Sequence, residues 1–156
     1  MKKKILLLED ELDSMDCGLD TTKYDVDLVR DLETFDFCLY DDPGIDFYNA
    51  VVMDLKVVLG EWAEDRLEEV LPVLAQNRPI KAAGIELHGL TYLRYKLLAD
   101  KKMRSVVQQK FILISGHAGF ITRENVFENN EIDFPHKQLL DKGDEFYFDN
   151  LRAFIK

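Results

Sequence analysis

Three short and almost purely apolar runs, each cut off by polar residues, constrain the fold most. Ile5 to Leu8 gives way to Glu9-Asp10-Glu11, Ala50 to Met53 to Asp54, and Phe111 to Ile114 to Ser115-Gly116-His117. Runs this short, without polar alternation, suit strands covered on both faces by helices, as in a parallel sheet. Weaker strand signals lie at Tyr24 to Val29 and at Lys137 to Leu140, the latter leading into Asp141-Lys142-Gly143.

Helical spacing fills the intervals. Leu90, Leu93 and Leu97 recur on one face and predict a helix from about His88 to Met103. Phe148, Leu151 and Ile155 predict a C-terminal helix, and Asp31 to Tyr40 and Thr122 to Asn129 read as shorter ones. Asp41-Asp42-Pro43-Gly44 is a turn. The first helix, with Gly18 and many Asp, is expected to be short. Strand then helix, five times over, implies one α/β domain spanning 1–156. Its core is a doubly wound five-stranded parallel sheet with helices on both faces.

One stretch exceeds that plan. More than thirty residues separate Asp54 from the helix at His88, where connections of about two to six residues are usual. Positions of about 57–87 therefore read as an extra helical insertion. Ala63, Leu67, Val70, Leu71 and Leu74 form a helical stripe predicting a helix over Gly60 to Gln76, kinked or ended by Pro72. A loop through Pro79 and Gly84 follows.

Charge narrows the partners. Lys and Arg number 20 against 30 Asp and Glu, a net −10, which disfavours nucleic acid and anionic lipid and favours basic protein surfaces. No apolar run approaches membrane-spanning length. Met1-Lys2-Lys3-Lys4 opens like a signal peptide, but only four apolar residues precede Glu9; a cytoplasmic location follows as the default. Cys17 and Cys38 lack metal or redox spacing and read as idle thiols.

Open parallel sheets bind ligands at the carboxyl ends of their strands. There Glu9, Asp10, Asp54, Ser115 and Lys142 would converge. Crowded carboxylates suit a hard divalent cation, a carboxylate can accept a phosphoryl group, and a hydroxyl and an ammonium can hold its oxygens. The bland readings are a helix cap for Glu9 and Asp10 and a turn hydroxyl for Ser115. His117 reads as a solvated loop histidine, since His88, His117 and His136 show no metal-ligand spacing. Trp62 suits a partner anchor and internal packing equally.

These segments together resemble response-regulator receiver domains of the CheY-like superfamily. Ile5 to Glu11 is similar to the opening strand with its acidic pair, Val51 to Leu55 to the phosphoacceptor strand, Ile112 to His117 to the fourth strand, and Leu140-Asp141-Lys142 to the fifth. His88 to Arg94 is similar to the start of the third helix. The resemblance implies a flavodoxin/CheY-like fold and a phosphorelay switch with Asp54 as phosphoacceptor and at most auto-dephosphorylation as its own activity. It implies Mg²⁺ held by Asp10, by Asp54, by the Lys56 backbone carbonyl and, through water, by Glu9, with Ser115 and Lys142 on the phosphoryl oxygens. Its implied partners are a histidine kinase or phosphotransfer protein and a downstream protein. The chain ends with the last helix, so output is expected through protein contact. The sequence departs from the pattern where Gly143 replaces a proline after the lysine, where Leu139 replaces an aromatic residue, and where the insertion displaces a Pro-x-x-x-Gly segment. These departures leave open a receiver-fold interaction module that is not phosphorylated. A haloacid-dehalogenase-like phosphatase fits less well, because Asp54 is followed by Leu55-Lys56 and lies mid-chain.

Overall fold

The computed structural model describes residues 1–11, 19–123, 138–145 and 147–155. The expected first helix falls outside these, as do Cys17 and the end of the helix expected over Thr122 to Asn129.

Five strands form one parallel sheet: β1 (Lys3–Leu8), β2 (Tyr24–Val29), β3 (Ala50–Asp54), β6 (Phe111–Ser115) and β7 (Leu139–Asp141). Their spatial order is β2-β1-β3-β6-β7. Counted within the sheet alone this is 2-1-3-4-5, the order of flavodoxin- and CheY-like folds. The apolar runs alternate faces within the buried sheet. Leu6, Leu8, Val51, Met53, Phe111 and Leu113 pack beneath α1 (Leu32–Tyr40) and α5 (Lys101–Lys110). Ile5, Leu7, Val52, Ile112 and Ile114 pack against α7 (Tyr147–Ile155). Helices on both faces explain why polar alternation is missing from the central strands.

Two predicted helices are corrected. The helix expected from about His88 to Met103 divides into α4 (His88–Tyr92), a wider π turn over Leu93–Leu97, and α5. In the π turn, the Leu98 N–H reaches back five residues to the Leu93 carbonyl at 2.9 Å. Asp100 then starts α5 as its N-cap, its Oδ1 accepting from the N–H groups of Lys102 at 2.9 Å and Met103 at 3.1 Å.

The helix expected over Gly60 to Gln76 is instead two short pieces, α2 (Leu67–Val70) and α3 (Pro72–Gln76). Leu71 between them lies outside helical geometry at φ −131, ψ 65, because a residue preceding proline is pushed from the α region. Of the expected stripe, Ala63, Leu71 and Leu74 are buried, whereas Leu67 and Val70 pack only partly against the core. The expected loop through Gly84 holds a small hairpin of β4 (Lys81–Ala82) and β5 (Ile85–Glu86), turning at Ala83 and Gly84, both with positive φ.

The insertion is strapped to α1. Asp31 and Val58 form a parallel bridge. The Val58 carbonyl accepts from Leu32 N–H at 3.1 Å and the Leu59 carbonyl from Glu33 N–H at 2.9 Å. The Asp31 side chain accepts from Thr34 N–H at 2.7 Å. The amides that a helix N-terminus leaves unpaired are thereby satisfied. Gly60, at φ +136, lies so near Glu33 that a Cβ would meet its carboxylate at 2.8 Å, and Arg66 pairs with Glu33 at 3.0 Å.

At the other end of α6 (Ala118–Arg123), four residues earlier than expected, the helix begins directly after Ser115-Gly116-His117.

Candidate functional site

Parallel register brings the strand ends to one edge: Leu8 lies beside Met53, Asp54 beside Ile114, and Ser115 beside Asp141. Glu9 continues β1, its N–H on the Val29 carbonyl at 3.0 Å. Lys142 follows β7, its N–H on the Ser115 carbonyl at 3.1 Å. Glu9, Asp54 and Ser115 are buried and Asp10 half-buried. Glu9, Asp10, Asp54, Ser115 and Lys142 thus gather at one edge.

Asp54 is gripped from two sides. Its Oδ1 accepts from the Lys56 N–H at 2.9 Å, and its Oδ2 from the Lys142 ammonium at 3.0 Å. The same ammonium stands 2.7 Å from Glu9 Oε2 and 3.5 Å from Glu11 Oε2. The Glu9 contact is an ion pair without hydrogen-bond alignment, while Glu9 Oε1 accepts from the Glu11 N–H at 3.1 Å. Ser115 Oγ accepts from the His117 N–H at 2.9 Å, which leaves its own hydroxyl proton to aim elsewhere.

A polar cavity of about 340 Å³ opens over these groups, lined by Glu11, Asp54, Lys56, Gly116, His117, Lys142 and Gly143. Gly143 takes the place where a proline was expected, yet the turn is built. Its N–H donates to Asp141 Oδ1 at 2.8 Å, an Asx turn that fixes the backbone on both sides of Lys142. Leu139, at the expected aromatic position, is half-buried and packs on the core.

The electrostatics follow from crowding. Burial pushes the Asp54 carboxyl up, the Lys56 N–H opposes this, and the Glu9 charge adds to it, leaving Asp54 at about 7. Burial and then the Glu9 charge also raise Asp10. Glu9 itself is lowered: burial opposes its charge, but Lys142 and the Glu11 N–H outweigh burial. Lys142 is raised despite burial, through Glu9 and Asp54. One ammonium therefore serves several carboxylates and leaves the group short of positive charge.

Oxygens of Glu9, Asp10 and Asp54 lie within 4.8 Å of one another, and Asp10 Oδ1 is buried without a hydrogen-bond partner. An orphaned carboxylate oxygen beside two other carboxylates fits a divalent cation, which prefers oxygen ligands. This acidic cluster can hold a metal.

Three residues here escaped sequence reasoning. Glu11, the third acid in Glu9-Asp10-Glu11, has no expected role, yet it lines the cavity. His117, expected as a solvated loop histidine, also lines the cavity. Gly89 carries no local signal, yet α4 presses it onto the loop after β3. A Cβ there would meet the Asp54 carbonyl oxygen at 2.6 Å and that of Leu55 at 2.8 Å. Leu90 N–H then donates to the Leu55 carbonyl at 3.0 Å.

No protein-family model matches this chain, and no curated protein matches it by sequence. Among solved structures, the phosphorylated cyanobacterial phytochrome response regulator RcpA is 13% identical, with a TM-score of 0.45, over 100% of this chain and 90% of that one. A likeness at that level carries no weight for function.

Proposed function

We propose that this chain is a receiver-type phosphoacceptor switch in which Asp54 takes a phosphoryl group from a phosphorylated histidine or a small acyl phosphate. The observation that carries the reading is the double grip on Asp54. A backbone N–H and an ammonium hold its two oxygens at the floor of a polar cavity, with two further carboxylates beside it.

Asp54 attacks phosphorus with a carboxylate oxygen and becomes an acyl phosphate as the donor's leaving group departs. Mg²⁺, held by Asp10, Asp54 and the Lys56 carbonyl with Glu9 acting through water, would neutralise the carboxylates and the phosphoryl oxygens. Lys142 can swing from Glu9 and Asp54 to a phosphoryl oxygen, and the Ser115 hydroxyl can donate to another. Kept near 7, Asp54 is only partly ionised at neutral pH, so a bound cation also matters for making it a nucleophile.

A histidine kinase or phosphotransfer protein would supply the group in the cytoplasm, and a downstream protein would read the result. Among the described residues no helix is long and apolar enough to cross a membrane. Intact mass after acetyl phosphate and Mg²⁺ tests the reading. One added phosphate is expected, absent with EDTA and absent in Asp54→Asn. An unmodified wild-type protein would leave the chain as a receiver-fold interaction module.

A further inference from the structure

We propose that Glu11 is the seat to which Lys142 withdraws when a divalent cation takes the carboxylates of Glu9 and Asp54. Lys142 is then the site's own counter-ion, and the cation enters by displacing it. The inference rests on reading Glu9, Asp10 and Asp54 as a cation site, and it makes Glu11 a positioning residue.

Lys142 Nζ stands 2.7 Å from Glu9 Oε2 and 3.0 Å from Asp54 Oδ2. It therefore covers two of the three carboxylates that define the candidate site. An ammonium and a divalent ion cannot share those oxygens without strong repulsion in so buried a place. The ammonium must move, and it needs another anion nearby, because an unpaired buried charge is costly. Glu11 Oε2 is that anion. It already lies 3.5 Å from Nζ, and its side chain is 65% exposed, so it can follow the lysine without losing water. Among the described residues its carboxylate has this one ion pair. The backbone needs no rearrangement, since the Asx turn holds the peptide of Lys142 while its side chain pivots.

Calorimetric Mg²⁺ titration of four full-length proteins tests this: wild type, Glu11→Gln, Lys142→Met and the double variant. Lys142→Met should bind roughly three- to tenfold tighter, because the competing ammonium is gone, and Glu11→Gln should bind weaker by a similar factor. In the Lys142→Met background Glu11→Gln should weaken binding much less, by its long-range charge alone, for there is no lysine left to receive. Equal weakening in both backgrounds would mean that Glu11 acts only as one more negative charge, and would overturn the proposal. So would a silent Glu11→Gln in the wild-type background. If Lys142→Met does not fold, Lys142→Gln takes its place in the cycle. Failure of the underlying reading looks different: no heat from any of the four proteins and no phosphate on Asp54. Cation binding with a labelled Asp54 but an additive cycle would sink the Glu11 role alone.

Discussion

Gly89 and Asp54 touch backbone to backbone, with no room for even one methyl carbon between the start of α4 and the carbonyl of the candidate nucleophile. Gly89→Ala must therefore push α4 and the Asp54-Leu55 peptide apart. Overpacking of this kind costs about 1–3 kcal/mol, and here it also shifts the carboxylate. A lower midpoint in denaturant and slower labelling by acetyl phosphate are expected. Unchanged stability would show that α4 can slide freely.

Asp54→Asn should stabilise the protein in a pH-dependent way. The folded protein holds the Asp54 proton up to about 7, well above the ordinary carboxylate value of 3.8. Between those values the folded state binds more protons than the unfolded state, so stability falls as pH rises through that window. The asparagine variant escapes the penalty. Its advantage should be near zero at pH 4 and reach about 1–3 kcal/mol above pH 7. Thermal melts across pH 4 to 8 would show it, and a constant offset at every pH would contradict it.

Asp10→Asn removes a carboxylate whose charge is disfavoured by burial and by Glu9. Without metal the variant should melt at a higher temperature than wild type near neutral pH. Adding Mg²⁺ should stabilise the wild type and leave the variant nearly unmoved. Equal Mg²⁺ stabilisation of both proteins would remove Asp10 from the ligand set.

The insertion separates structural from surface residues. Leu71 is fully buried and Trp62 is 59% exposed. Leu71→Ala should cost about 2–4 kcal/mol through the cavity it leaves, and Trp62→Ala within about 0.5 kcal/mol. Urea denaturation followed by far-UV circular dichroism would measure both. A large loss at Trp62 would give that ring a packing role instead of leaving it available to a partner.

The strands were legible because burial on both faces demands unbroken apolar runs, and Ile5 to Leu8 has no other good use. The gathering of the candidate site residues was legible because polar side chains that end such runs share one edge. What escaped depends on atoms that sequence patterns do not record. The straps on α1 use backbone carbonyls of Val58 and Leu59, which any residue could supply. The break at Asp100 had its signal, an aspartate one residue before Lys101, but the spacing of Leu90, Leu93 and Leu97 drew the helix through it. The β4–β5 hairpin is too short for alternation to register, and the crowding at Gly89 arises only once α4 docks.

The strap has a consequence for hydrogen exchange. Amides in the first turn of a helix usually trade protons with solvent quickly, since nothing covers them. Those of Leu32 and Glu33 are instead tied to the segment that leaves Asp54 by way of Lys56. Their exchange rates are therefore set by how often that segment lifts away, not by fraying of α1. Two backbone deuterons on a helix that carries none of the candidate site's carboxylates would then time the opening of the segment that follows Asp54.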